Sequence, residues 1–159
     1  MSCHVSVVPN HQTARSTPME TRADIAHLGA TGYELDTLAY SDGDKEDTCR
    51  QVEEYKQIEA LILNGDLYRT EDPHTSNFFG FMVISKDKSE AVLTAYRRIG
   101  SVNNEFKYLK ASGLDESKAY SVTGYDTTFK GSTLMNVGLP AVFKKGDFMT
   151  LRYLFREVC

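Results

Sequence analysis

The stretch Gln51-Val52-Glu53-Glu54-Tyr55-Lys56-Gln57-Ile58-Glu59-Ala60-Leu61-Ile62-Leu63-Asn64-Gly65 decides the fold, because the hydrophobic period changes at its end. Val52, Tyr55, Ile58, Leu61 and Ile62 recur three and four residues apart, which places them on one stripe of a helix. Upstream, Ser41, Asp42 and Asp44 offer cap oxygens, and acidic residues crowd the first turn, where the helix dipole favours them. Asn64-Gly65 supplies C-cap chemistry. The pattern predicts a helix over residues 44–63.

Beyond Gly65 the period becomes two. Phe79, Phe81 and Val83 alternate, Ser85-Lys86-Asp87-Lys88 reads as a turn, and Ala91 to Arg98 runs back as the second arm of a hairpin. Further strand candidates are Phe106 to Ala111, Ala119 to Thr123, Thr127 to Phe129 and Phe148 to Phe155, punctuated by Gly113, Gly124, Gly131, Gly138 and Gly146. Short strands at such spacing predict an antiparallel sandwich or small barrel. Before the helix, Val5, Val7 and Val8 form a β-branched run stopped at Pro9-Asn10, as in buried parallel strands. Pro18-Met19-Glu20 is set to open a helix, and Tyr33-Glu34-Leu35 is a second strand-like piece. The chain thus reads as strand, helix, strand, helix and then all β. Two β/α units neither close a barrel nor cover both faces of a sheet. Residues 1–66 therefore read as the end of something larger and 67–159 as an antiparallel β domain.

The 159 residues are 41% apolar and 25% charged, an ordinary globular composition. A net charge of −4 gives no basic field for a phosphate backbone, so nucleic acid is not an expected partner. No run reaches the roughly 20 apolar residues of a membrane helix, and Met1-Ser2-Cys3-His4-Val5-Ser6 lacks the basic and apolar regions of a signal peptide. Cys3, Cys49 and Cys159 are odd in number and far apart, which argues against a disulfide framework or structural zinc. Three free thiols in a reducing cytoplasm are the expectation, with no cofactor and no metal.

Cys3-His4-Val5-Ser6-Val7-Val8-Pro9-Asn10-His11-Gln12-Thr13 resembles a stretch near the end of the catalytic barrel in bacterial α-galactosidases of glycoside hydrolase family 36. Thr17-Pro18-Met19-Glu20-Thr21-Arg22 and Gly32-Tyr33-Glu34-Leu35-Asp36 are similar to the family's T-P-L-x-T-R and G-Y-E-L-D. Asn64-Gly65-Asp66-Leu67-Tyr68-Arg69 looks like the exit from the last barrel helix. Ser89-Glu90-Ala91-Val92, Gly113-Leu114-Asp115, Leu134 to Pro140 and Gly146-Asp147-Phe148 resemble landmarks of the C-terminal β domain. Departures include Ser2-Cys3 in place of small residues and Ala14 in place of a glycine. The resemblance implies the end of a (β/α)8 TIM barrel followed by an antiparallel β-sandwich, a cytoplasmic and oligomeric parent enzyme, and α-galactosides of the melibiose and raffinose type as substrates.

It also implies a retaining hydrolase whose two carboxylates, the nucleophile and the acid/base, stand about 5 to 5.5 Å apart. Their family motifs precede the region matched here, so no catalytic residue is assigned to this chain. His4 and His11 bracket a barrel strand and its following turn and are the candidate substrate contacts, since neutral imidazole donates and accepts hydrogen bonds. The competing reading is that Asn10-His11-Gln12 satisfies backbone groups in the loop. Glu34 and Asp36 share one side of a strand end. They are read as accepting from the following loop and from a base such as Arg22, rather than as an acid/base pair. Ser41-Asp42-Gly43-Asp44 is read as a helix cap and not a calcium loop, because it lacks the glycine at position six and the closing glutamate. Tyr96, Tyr108, Tyr120, Tyr125 and Tyr153 form either a sugar-stacking platform or, more in keeping with strand aromatics, core. The alternatives to an enzyme part are a stand-alone carbohydrate-binding β module and a non-functional gene remnant.

Overall fold

A computed structural model describes residues 2–102 and 107–158. The chain is mostly β-sheet, and it parts into two compact units between Leu63 and Asn64. Among the described residues no helix is long and apolar enough to cross a membrane.

In the first unit, β1 (Ser2–Ser6) runs parallel to β2 (Ala30–Glu34), with Ser2 opposite Ala30 and Ser6 opposite Glu34. The helix α1 (Met19–Ala26) connects them. Side chains alternate across a strand. Cys3 and Val5 therefore turn to one face, where Val5, Ala23 and Ala26 are buried and Tyr33 and Leu35 pack against them. Val7 and Val8, expected inside the strand, lie beyond its end and are exposed at 43% and 37%. Pro18 stands at the cap of α1 rather than within its first turn. That position still suits it, because a residue without an N–H forfeits nothing there.

The helix α2 (Asp42–Asn64) buries Gln51, Tyr55, Ile58 and Leu61. Val52 and Ile62, expected on the same stripe, are only half-buried. Gln51 takes the inner place because its Oε1 accepts from the Tyr33 hydroxyl at 3.0 Å. The Tyr55 hydroxyl donates to the Gly29 carbonyl at 2.9 Å. At the start of α2, Ser41 and Asp44 cap each other: the Asp44 N–H donates to Ser41 Oγ at 3.2 Å and the Ser41 N–H to Asp44 Oδ2 at 3.0 Å. The Ser41 hydroxyl, donating to Asp44 Oδ2 at 2.6 Å, and then the Ser41 N–H hold the Asp44 carboxyl below its usual range.

The second unit is built on a six-stranded antiparallel sheet. Its strands are β3 (Asp66–Arg69), β4 (Phe78–Ile84), β5 (Glu90–Arg97), β7 (Ala119–Val122), β8 (Thr128–Lys130) and β10 (Met149–Val158), in the order β3-β4-β5-β10-β7-β8. A two-stranded antiparallel piece, β6 (Tyr108–Leu109) with β9 (Leu139–Pro140), and the short helix α3 (Gly131–Asn136) complete it. Met82, Leu93, Tyr120 and Phe155 on one sheet face form a single core with Leu109, Leu114, Leu134 and Leu139. The hairpin sits where the alternation puts it, with Ser85 Oγ and the Ser89 N–H donating to Asp87 Oδ1 at 2.7 and 3.0 Å. The expected strand from Phe106 shortens to Tyr108–Leu109, and Phe106, like Met1 and Cys159, lies outside the described residues. Strand β3 and helix α3 are additions. Gly131, read as strand punctuation, instead opens α3, where a Cβ would meet the Asp115 carbonyl oxygen at 2.0 Å.

Candidate functional site

The first unit's sheet has one face committed to its small core, which leaves Ser2, His4 and Ser6 on the other. There His4 Nε2 lies 3.1 Å from Glu34 Oε2, and both side chains are well exposed. Beyond the carboxyl end of β1, residues 7–17 form a loop organised by Asn10. Its side-chain oxygen accepts from the N–H groups of Gln12 and Thr13 at 3.1 and 3.0 Å and from the Thr13 hydroxyl at 3.1 Å. The Asn10 N–H reaches the Arg15 carbonyl at 2.9 Å, and the Ala14 N–H reaches the Asn10 carbonyl at 2.8 Å. Ala14 sits at φ 55°, a left-handed conformation that favours glycine.

Arg22, on α1, closes the base of this loop. Its Nη1 donates to the Ser6 carbonyl at the strand end, and its Nε donates to the Thr17 carbonyl before the helix at 3.1 Å. Burial lowers the pKa of its guanidinium, against the opposing influence of Tyr40 and Asp44. The loop and the strand end together enclose an open cavity of about 300 Å³, lined in part by Ser6, Asn10, Gln12, Arg15, Thr17 and Arg22.

The two candidate histidines are not brought together in this cavity. His4 lies on the sheet face with Glu34, and His11 lies on the exposed outer turn of the loop, outside the lining. Of the three residues Asn10-His11-Gln12, Asn10 does satisfy the loop backbone. The acidic pair at the end of β2 does not converge. Glu34 faces His4, while Asp36 Oδ1 accepts from the Leu38 N–H at 2.9 Å and caps a short 3-10 turn. The expectation that Arg22 serves this pair is corrected, since the bonds of Arg22 go to the Ser6 and Thr17 carbonyls. The reason is proximity created by the fold: α1 begins beside the carboxyl end of β1, so Arg22 in its first turn meets the strand end the chain has just left.

Asp44 belongs to the reciprocal cap and Asp42 pairs with Lys45 at 2.8 Å, so the acidic string is a helix start. Among the described residues no three His, Cys, Asp or Glu side chains gather as a metal site. In the second unit Tyr120 and Tyr153 are buried, and Tyr125 meets Phe129 edge-on at 5.3 Å. Tyr96 packs tilted on Phe79 at 4.7 Å, and Tyr108 is exposed at 51%. Tyr120 and Tyr153 belong to the core and Tyr125 packs against it, whereas Tyr96 and Tyr108 lie outside that cluster. Sequence reasoning missed Gln12, Arg15, Thr17 and Arg22 as neighbours of one cavity. The available signal was the run of donor-bearing residues between Pro9 and Pro18.

Comparison with known proteins supplies the context. Residues 79–155 match the glycosyl hydrolase family 36 C-terminal domain, and residues 1–65 match melibiase. The chain is 33% identical over 158 residues to α-galactosidase AgaA of Geobacillus stearothermophilus, covering 99% of this chain and 22% of that protein. It is 38% identical over 144 residues to α-galactosidase C of Emericella nidulans, covering 90% and 19% respectively. The crystal structure of an AgaA variant in complex with raffinose superposes with a TM-score of 0.96 at 32% identity, over 99% of this chain and 22% of that one. The chain thus spans about a fifth of the length of the relatives it matches. By both its sequence and its fold, it belongs to glycosyl hydrolase family 36 and corresponds to the C-terminal part of the family's α-galactosidases.

Proposed function

We propose that the chain is the closing part of a retaining α-galactosidase that releases terminal α-galactose from melibiose- and raffinose-type sugars. In this reading residues 1–66 supply the last units of a (β/α)8 barrel, and residues 67–159 form a β-sandwich that supports it. The observation that carries the proposal is the end-to-end match of this chain to about a fifth of proteins that are α-galactosidases. The isolated chain does not hydrolyse galactosides. Hydrolysis requires one carboxylate to attack the anomeric carbon and another to protonate the leaving oxygen. The acidic residues at the end of β2 are spent on His4 and on a 3-10 turn. A pair of parallel strands also leaves no closed pocket to exclude water.

Within the assembled barrel, His4 and His11 contact the sugar. His4 stands on the sheet face opposite the one packed on α1, and His11 stands on the loop at the strand's carboxyl end, the side on which barrels carry their sites. A cytoplasmic, homo-oligomeric enzyme fits the free thiols of Cys3 and Cys49 and the family assignment.

The test is release of nitrophenol from a nitrophenyl α-galactoside by the purified chain. No turnover is expected. Turnover that disappears in Glu34→Gln or Asp36→Asn would overturn the reading and make that pair catalytic.

A further inference from the structure

We propose that Glu34 is a positioning residue for His4, holding its Nδ1 as an acceptor for a sugar hydroxyl that approaches over Gly32. The nature of the ligand rests on the galactosidase reading, and the positioning rests on the geometry of the first unit. The sheet face turned away from the small core carries Ser2, His4 and Ser6 from β1 and Ala30, Gly32 and Glu34 from β2. His4 stands directly opposite Gly32, and its Nε2 lies 3.1 Å from Oε2 of Glu34, two residues further along β2. The backbone gives no reason for the glycine. Gly32 is in the middle of β2 with an unbroken register and a φ outside the left-handed region, and a Cβ there would meet no heavy atom within 4 Å beyond its chain neighbours. A strand glycine gives up packing and conformational entropy. Where neither φ nor a nearby atom of the chain calls for one, the use left to it is to let a ligand come close.

What the ligand brings follows from the pair. A neutral imidazole carries one N–H and one bare nitrogen, and the bond made by one nitrogen decides the state of the other. The Glu34 carboxylate accepts at Nε2, so the hydrogen sits there and Nδ1 is left as an acceptor. A hydroxyl group donates to such a nitrogen, and Gly32 leaves the space beside it clear. Glu34 therefore acts through His4, by fixing which of its nitrogens faces the ligand as an acceptor.

Two measurements test this. In the full chain at about pH 8.5, above the ordinary histidine range, ¹⁵N NMR of the imidazoles is expected to show His4 in the Nε2–H form. Glu34→Ala should release it to a mixture of the two neutral forms, and Glu34→Gln, whose amide oxygen still accepts, should keep the single form. The side chain replaced is exposed, so the fold is not at stake. A His4 tautomer unmoved by Glu34→Ala would overturn the proposal. The second measurement is galactoside hydrolysis by the full chain joined to the preceding part of AgaA. Glu34→Ala and His4→Ala should each raise KM about tenfold with little change in kcat, the loss of one substrate hydrogen bond. The double variant should go no further than His4→Ala, and Glu34→Gln should keep KM near its starting value. Gly32→Ala, which puts a methyl group in the approach, should raise KM similarly. Unchanged KM in these variants, or alanine effects that multiply, would overturn the proposal and leave the galactosidase reading standing. An inert fusion would count against that reading instead, with the tautomer measurement still deciding the role of Glu34.

Discussion

In the first unit the core against the two parallel strands is three small buried side chains, Val5, Ala23 and Ala26, with Tyr55, Ile58 and Leu61 of α2 buried besides. The second buries Met82, Leu93, Tyr120, Leu134, Leu139 and Phe155 in one continuous core under a six-stranded sheet. Both use an arginine on backbone carbonyls to tie down a loop, yet in different surroundings. Arg22 grips Ser6 and Thr17 at a half-open cavity. Arg97, only 7% exposed, donates to the Lys144 and Gly146 carbonyls at 2.7 and 2.8 Å and lies 5.2 Å over the Phe143 ring. The contrast teaches which part of the chain has its own means of folding. Parallel strands are ordinarily covered on both faces and flanked on both edges, and the first unit's two strands have little core to replace those contacts.

The largest effect expected from this contrast is at Phe155, which is 1% exposed in the second unit's core. Phe155→Ala should cost about 4 kcal/mol, read as a lowered denaturant midpoint, whereas Val5→Ala in the first unit should cost about 1 to 2 kcal/mol. Equal losses would erase the distinction. Native-state hydrogen exchange should show amides of β5 and β10 exchanging at least about a hundredfold more slowly than those of β1 and β2. Comparable protection would show that the parallel pair is stable by itself.

The arginines sharpen the comparison. Arg97→Ala removes a buried guanidinium, its two carbonyl bonds and its contact with the Phe143 ring, and should cost about 2 to 3 kcal/mol. Arg22→Ala should cost about 1 kcal/mol, because water reaches its loop.

A smaller effect of opposite sign is expected at Ala14. Its φ of 55° strains a residue with a Cβ, so Ala14→Gly should stabilise the loop by about 0.5 to 1 kcal/mol. A lowered melting temperature would contradict this.

The smallest effect concerns the hairpin. Hydrogen bonds from Ser85 and Ser89 hold the Asp87 pKa down to about 2. A depressed carboxylate contributes stability that is present above its unfolded pKa of about 4 and is lost as pH falls through the folded value. The turn should therefore weaken between about pH 4 and pH 2, and Asp87→Asn should remove that pH dependence. A carboxyl titrating near 4 by NMR would contradict it.

These differences also explain what could be read from the sequence. Helix α2 was legible because it buries one face and so prints its period, and the β4–β5 hairpin because two largely apolar runs flank the polar turn Ser85-Lys86-Asp87-Lys88. Strand β3 was not, since Asp66-Leu67-Tyr68-Arg69 is exposed throughout and has no face to print. Helix α3 opens on a glycine that is there to clear the Asp115 carbonyl, a contact no local pattern records. At the site, Asn10 was legible as a turn former because its bonds span two and three residues. The role of Arg22 was not, because its bond to Ser6 crosses sixteen residues and depends on the helix folding back along β1.

The central claim is that this chain completes an α-galactosidase without performing its chemistry. The direct test is a chimera in which this chain replaces the matching C-terminal fifth of AgaA, assayed for nitrophenol release beside truncated AgaA and beside this chain alone. The account predicts turnover by the chimera and none by either part. Turnover by this chain alone, or a folded chimera that is inert, would contradict it.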